Sequence, residues 1–131
     1  MLALVRKLSA FLIIPLTWTL LTIVLLCLPG STINSIGLSN IPNIDKIVHF
    51  ILFGTIPLLW GYYFLNRFSL ARWKKTVFLF VIGSISLGIV LEFVQYFFIP
   101  NRSFDPLDIL ADSVGAMSFG WVLVRVEGKG Q

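Results

Sequence analysis

Apolar positions along the chain fall into four long runs separated by short polar stretches. The first run, from Leu8 to Leu28, contains no charged residue, and the others cover about residues 45–65, 76–99 and 106–124. A helix needs about 20 mostly apolar residues to cross a bilayer, and each run approaches or exceeds that length. The pattern therefore predicts an all-α membrane protein, folded as a compact bundle of four transmembrane helices.

Composition agrees with this prediction. Charged residues make up 12% of the 131 residues and hydrophobic ones 57%, whereas about a quarter of the residues in a soluble domain are charged. The length leaves no room for a separate soluble domain, so residues 1–131 are expected to form one transmembrane domain. The single cysteine, Cys27, excludes an intrachain disulfide and a multi-cysteine metal site.

The basic residues predict the orientation in the membrane. Eight of the ten Lys and Arg lie at the N-terminus, in the connection at 66–75 and in the C-terminal tail, namely Arg6, Lys7, Arg67, Arg72, Lys74, Lys75, Arg125 and Lys129. By the positive-inside rule both termini are cytoplasmic, in a multi-pass protein of the cell membrane. The net charge of +4 is spread along these flanks rather than in a dense patch, so no nucleic-acid partner is expected.

The acidic residues gather at the opposite side of the predicted bundle. The extracytoplasmic ends of the last three helices carry five of the six acids, Asp45, Glu92, Asp105, Asp108 and Asp112, together with Lys46, His49, Gln95 and Arg102. A charge at membrane depth costs roughly 2.5 to 3.5 kcal/mol, so a sequence that keeps several usually needs them. We expect an outward-facing polar pocket, acidic at its base, with Arg102 over its mouth.

Each of these residues also has a purely structural interpretation. Asp45, Asp105 and Asp108 stand where a carboxylate would cap a helix or favour its dipole. His49 alone could be a helix-packing residue, and Arg102 an interfacial one. Glu92 and Asp112 lie roughly 10 Å from the span ends by helical rise, too far for capping, and are expected at matching depth. They could share a proton, or be neutralised by Arg102, Lys46, His49 or a bound cation.

Small residues spaced four apart predict close helix contacts in the third and fourth spans. The pairs are Ser84 with Gly88, Ala111 with Gly115, and Ala116 with Gly120. They suit packing within one chain or a homo-oligomer.

The ordered polar motifs resemble the VanZ-like family of small bacterial membrane proteins over residues 45–120. The residues that carry the resemblance are Asp45, Lys46, His49, Phe50, Glu92, Gln95, Arg102, Asp105, Asp108, Asp112 and Gly115. The resemblance implies a cell-envelope role, since the family's namesake accompanies glycopeptide resistance genes and is associated with reduced teicoplanin susceptibility. It brings no established reaction.

Three functional hypotheses follow. The first is an accessory protein that binds a membrane lipid head group, an envelope precursor or an amphiphilic glycopeptide. Its ligand-binding candidates are Asp45, Lys46, His49, Glu92, Gln95, Arg102, Asp105, Asp108 and Asp112.

The alternative is an intramembrane hydrolase or transferase acting on an envelope lipid, with His49, Glu92 and Asp112 as catalytic candidates and a divalent metal as candidate cofactor. No HExxH motif, serine elbow or cysteine pair favours it, so whether the protein is an enzyme stays open. Ion coupling ranks last, because the inner halves of spans 2 to 4 carry no acid or histidine.

Overall fold

Four helices account for most of the chain that the structure describes. The computed structural model describes residues 11–29, 31–32 and 42–128. The helices are α1 (Ile13–Leu26), α2 (Ile44–Leu65), α3 (Leu70–Phe98) and α4 (Pro106–Glu127). The last three are long and apolar enough to cross a membrane, whereas α1, an apolar helix, has 14 residues. The all-helical fold is therefore confirmed, while insertion into a membrane rests on length, composition and sequence pattern.

The helix bounds differ most from the predicted spans at the start of α3, which begins at Leu70 instead of about residue 76. The reason is Trp73, which is fully buried and donates its indole N–H to the carbonyl of Gly61 at 2.8 Å. This contact fixes the first turn of α3 against α2, while Lys74 and Lys75 remain exposed. The start of the predicted first span, at residues 8–10, and both chain ends lie outside the described residues, so the orientation of the termini stays a prediction.

Glycines allow α2, α3 and α4 to approach closely. α4 packs most extensively on α2, and a Cβ at Gly115 would overlap the carbonyl oxygen of Phe50. A Cβ at Gly120 would lie 2.5 Å from Cγ2 of Val81, on α3. The small residues predicted to mediate helix contacts thus include the glycines at both α4 interfaces.

α1 is attached to this three-helix unit through side-chain hydrogen bonds and apolar contacts. Trp18 donates from its indole to the carbonyl of Leu52 at 3.1 Å, and Trp60 of α2 donates to the hydroxyl of Thr19 at 3.2 Å. Leu26, at the end of α1, is buried in an apolar cluster with residues of α2 and α3. Many large apolar side chains stay exposed, among them Phe78, Phe97, Leu110 and Trp121, as expected for a protein whose outer surface faces lipid.

Candidate functional site

The turn between α3 and α4 joins the two helices at the acidic end of the bundle. Asp105 caps α4, with Oδ1 accepting from the backbone N–H of Leu107 at 2.9 Å and Pro106 at the first helical position. The backbone N–H of Asp105 donates to Oε1 of Glu92 at 2.6 Å. Glu92, buried in α3, therefore holds the start of α4 in place.

Lys46 connects the first turn of α2 to the start of α4. Its Nζ lies 2.7 Å from Oδ2 of Asp105, 3.1 Å from Oδ2 of Asp45 and 3.2 Å from Oδ1 of Asp108. An ammonium group has three N–H donors, and three carboxylates accept here. The hydrogen bond from Lys46 lowers the pKa of Asp105 below its ordinary value of 3.8.

The same three aspartates form the one group that could hold a metal ion within the described residues, since one oxygen from each lies within 4.8 Å of the others. Carboxylate oxygens suit a hard divalent cation. However, the Lys46 ammonium already contacts all three carboxylates. A metal ion could bind these oxygens only if the lysine moved away.

His49 and Asp112 form a buried pair between α2 and α4. Nδ1 of His49 lies 2.9 Å from Oδ1 of Asp112, and Nε2 lies 4.0 Å from Oδ2 of Asp108. A Cβ at Gly88 of α3 would lie 2.5 Å from Oδ2 of Asp112, so the glycine leaves room for this carboxylate. A carboxylate on one imidazole nitrogen orients the ring, as a general base requires.

The predicted matching depth of Glu92 and Asp112 is not observed. Asp112 packs against Gly88, one helical turn before Glu92, whereas Glu92 contacts Asp105, about two turns before Asp112. Asp112 therefore lies about one turn deeper in the bundle. The sequence could not fix this offset because it depends on where the turn after α3 folds back.

Three buried polar atoms at this end have no hydrogen-bond partner among the described residues. They are Oε2 of Glu92, Oδ2 of Asp112 and Nε of Arg102. Glu92 and Asp112 are each only 1% exposed. An unsatisfied buried polar atom costs about 1–3 kcal/mol, and each instance in a native protein calls for a proton, water or ligand. Glu92 and Asp112 are also the two acids that capping could not explain.

Gln95 points away from the acids. Its side-chain amide donates to the carbonyl of Leu26 at 2.8 Å, so it satisfies the C-terminal end of α1. Arg102 is half-buried and forms no ion pair with any residue that the structure describes. Sequence reasoning overlooked Gly88 as a neighbour of the acids, although its small-residue spacing had marked it for close packing.

The structure thus gathers most of the predicted site residues at one end of three helices. Those in mutual contact are Asp45, Lys46, His49, Glu92, Asp105, Asp108 and Asp112. Because His49, Glu92 and Asp112 are buried, the base of the predicted pocket is closed. Ligand binding by these residues stays a prediction.

Comparison with known proteins gives one family. A family model described as VanZ/LLP1 matches residues 4–126, nearly the whole chain. No curated protein and no solved structure matches the sequence.

Proposed function

This chain belongs to the VanZ-like family, and from that premise we propose that it is a cell-membrane protein whose polar cluster binds the polar head of an amphiphile. Lipid head groups, envelope-polymer precursors and glycopeptides are the candidate ligands. The observation that carries the proposal is the set of buried atoms on Glu92, Asp112 and Arg102 that have no hydrogen-bond partner in the described part of the chain. A head group that brought matching donors and acceptors would satisfy all three.

The charge pattern indicates which head groups fit best. Lys46 is engaged by three carboxylates, so it offers no free ammonium to an anion. Oε2 of Glu92 and Oδ2 of Asp112 require hydrogen-bond donors, such as hydroxyl or ammonium groups. Arg102 supplies the cation for a phosphate or carboxylate. A zwitterionic or sugar-bearing head group combines these features.

Access to the acids requires the turn after α3 to move. Oε1 of Glu92 accepts from the backbone N–H of Asp105 at 2.6 Å, and this bond ties the turn to α3 at a buried carboxylate. A ligand that replaces Asp105 as the donor to Glu92 would open the turn. Binding and turn movement are therefore linked in this proposal.

Native mass spectrometry of the detergent-purified protein, with lipid and metal analysis, tests the proposal. We expect a co-purifying amphiphile in the wild type and its loss in the Glu92→Gln, Arg102→Ala double variant. The matched control, Glu127→Gln with Arg72→Ala, changes the same residue types away from the cluster and should retain the ligand. A wild type with no bound amphiphile, or equal retention in both double variants, would contradict the proposal.

An intramembrane hydrolase or transferase is the second candidate function, favoured by the His49–Asp112 contact of 2.9 Å. In this candidate, Asp112 orients the imidazole and Nε2 of His49 accepts a proton from water or a substrate hydroxyl. Turnover of labelled phospholipids and polyprenyl phosphates, with and without divalent metals, distinguishes it from binding. His49→Gln should abolish turnover while a bound amphiphile is retained, and absence of turnover by the wild type would reject this function.

A further inference from the structure

An apolar groove lies between α3 and α4 in the half of the bundle away from the polar cluster. It has a volume of about 410 Å³, and its apolar lining includes Val77, Phe78, Val81, Met117, Gly120 and Val124. Lys74 and Trp121 complete the lining. We name it the α3/α4 groove.

The shape of the groove follows from small and buried residues at its floor. Gly120 lets Val81 approach so closely that a Cβ there would lie 2.5 Å from Cγ2 of Val81. Phe78 and Met117 stand on either side and are 62% and 50% exposed. A linear apolar chain fits such a channel, and in a membrane the available apolar chains are acyl chains.

Two cations lie at the end of this groove that is formed by the start of α3 and the end of α4. Lys74 lines it directly, and the guanidinium of Arg125 lies 5.1 Å from the ring centre of Trp121, over its face. Neither cation pairs with a carboxylate in the part of the chain that the structure describes. Trp121 and the cations form the amphipathic rim that is typical of a membrane–water interface.

A second groove shows why the cations matter. The groove between α2 and α4, of about 390 Å³, is also apolar and also has a lysine in its lining, Lys46. That lysine contacts three aspartates, so an anion entering there would meet excess negative charge. Of these two grooves, the α3/α4 groove alone joins an apolar channel to cations that have no carboxylate partner among the described residues.

We propose that the α3/α4 groove is a binding site for an anionic phospholipid. One acyl chain lies along Val81 and Gly120, and the phosphate is held by Lys74 and Arg125. Basic pockets between transmembrane helices recognise anionic head groups through charge-assisted hydrogen bonds. The site is independent of the polar cluster and of the function proposed for it.

Titration of phosphatidylglycerol and phosphatidylcholine into the delipidated full-length protein, followed by native mass spectrometry, tests the site. We expect the wild type to prefer phosphatidylglycerol, and the Lys74→Gln, Arg125→Gln double variant to bind it on the order of tenfold more weakly. The control double variant, Arg72→Gln with Lys75→Gln, removes the same charge from exposed positions outside the groove lining and should keep the preference. Glycerol phosphate, which lacks the acyl chains, should not compete.

Several outcomes would overturn the assignment. Equal weakening in both double variants would show that general surface charge attracts the lipid, without a specific site. No preference for phosphatidylglycerol in the wild type would show that Lys74 and Arg125 do not select the head group. Competition by glycerol phosphate would assign the cations to a soluble anion. Both double variants change exposed side chains, and circular dichroism verifies that each remains folded.

Discussion

Lys46 is the residue that balances the charge of the acidic cluster. Replacing it with methionine leaves three carboxylates, Asp45, Asp105 and Asp108, with oxygens within 4.8 Å of one another and without their cation. Removing one partner of a fully buried ion pair costs 3–5 kcal/mol, and an exposed pair contributes at most about 1 kcal/mol. The Lys46 side chain is 24% exposed, so we expect Lys46→Met to lower the free energy of unfolding by roughly 2 kcal/mol.

Chemical denaturation in detergent micelles measures this loss of unfolding free energy. The matched control is Lys75→Met, which changes an exposed lysine at the other end of the bundle. Millimolar Mg²⁺ should restore part of the stability of Lys46→Met, because the freed carboxylate oxygens suit a hard cation. Equal stability of the two lysine variants would show that Lys46 does not balance the cluster.

Asp105 makes the stability of the acidic cluster depend on pH. Its pKa is lowered in the folded protein, mainly by the hydrogen bond from Lys46. A carboxyl group with a lowered pKa contributes stability above its unfolded pKa of about 3.8, and that contribution is lost as the pH falls through the folded value. We expect the wild type to lose stability below about pH 4, and Asp105→Asn to lose less.

Thermal unfolding of both proteins between about pH 6 and pH 2.5 measures the difference. Asparagine can still accept the cap hydrogen bond of Leu107, so the start of α4 should stay folded. Parallel acid profiles for Asp105→Asn and the wild type would contradict the role given to the lysine bond.

At the scale of the helices, α3 carries two glycines with opposite surroundings. A Cβ at Gly88 would lie 2.5 Å from Oδ2 of Asp112, whereas a Cβ at Gly83 would meet no atom of the described residues within 4 Å. Alanine improves helix propensity by about 1 kcal/mol over glycine. We expect Gly83→Ala to be neutral or stabilising by up to about 1 kcal/mol, and Gly88→Ala to destabilise by roughly 1–3 kcal/mol through overpacking.

Parallel unfolding curves of the two alanine variants test this expectation on one helix in one detergent. The structural reason is the displacement of Asp112, so the His49 imidazole resonances in a nuclear magnetic resonance spectrum should shift in Gly88→Ala and remain in place in Gly83→Ala. Equal stability of the two variants would mean that α3 and α4 are farther apart than the structure shows.

Hydrophobic runs and turn residues sufficed to predict the four helices. The run predicted to start at about residue 106, for example, begins as α4 at Pro106, which confirms the predicted start. The start of α3 could not be predicted in this way, since the basic residues around Trp73 resemble a loop until the tertiary contact of Trp73 with Gly61 is known. The polar positions in the sequence show which residues are charged, but they do not show which of those residues are buried.

The site shows the same division. Clustering of the acids followed from topology, because three helix ends had to meet at one surface. The partners of individual side chains could not be predicted from topology, since these contacts depend on how the helices are rotated and offset against one another. Gln95 bonds to the carbonyl of Leu26 on α1, and Lys46 contacts three aspartates at once, which no spacing along the sequence predicts.

For the whole molecule, the two ends of the bundle differ in charge. One end carries the acidic cluster, and the other carries Lys74, Lys75 and Arg125 with few acids nearby in the sequence. The positive-inside rule predicts that the basic end lies in the cytoplasm. Both proposed sites depend on this orientation, because the polar cluster would then meet outer-leaflet amphiphiles and the α3/α4 groove would meet inner-leaflet anionic lipid.

Cysteine labelling in intact cells tests the orientation. Two single-cysteine variants are made in a Cys27→Ala background. Ser103→Cys places the cysteine in the turn between α3 and α4, and Ser69→Cys places it in the connection between α2 and α3. Both serines are exposed, and the Ser69 side chain makes no cap hydrogen bond within the described part of the chain. A membrane-impermeant maleimide should label Ser103→Cys directly and Ser69→Cys only after permeabilisation. The reverse labelling pattern would show that the polar cluster faces the cytoplasm. Outer-leaflet amphiphiles would then be excluded as its ligands, because the acids would be reached from the inner leaflet.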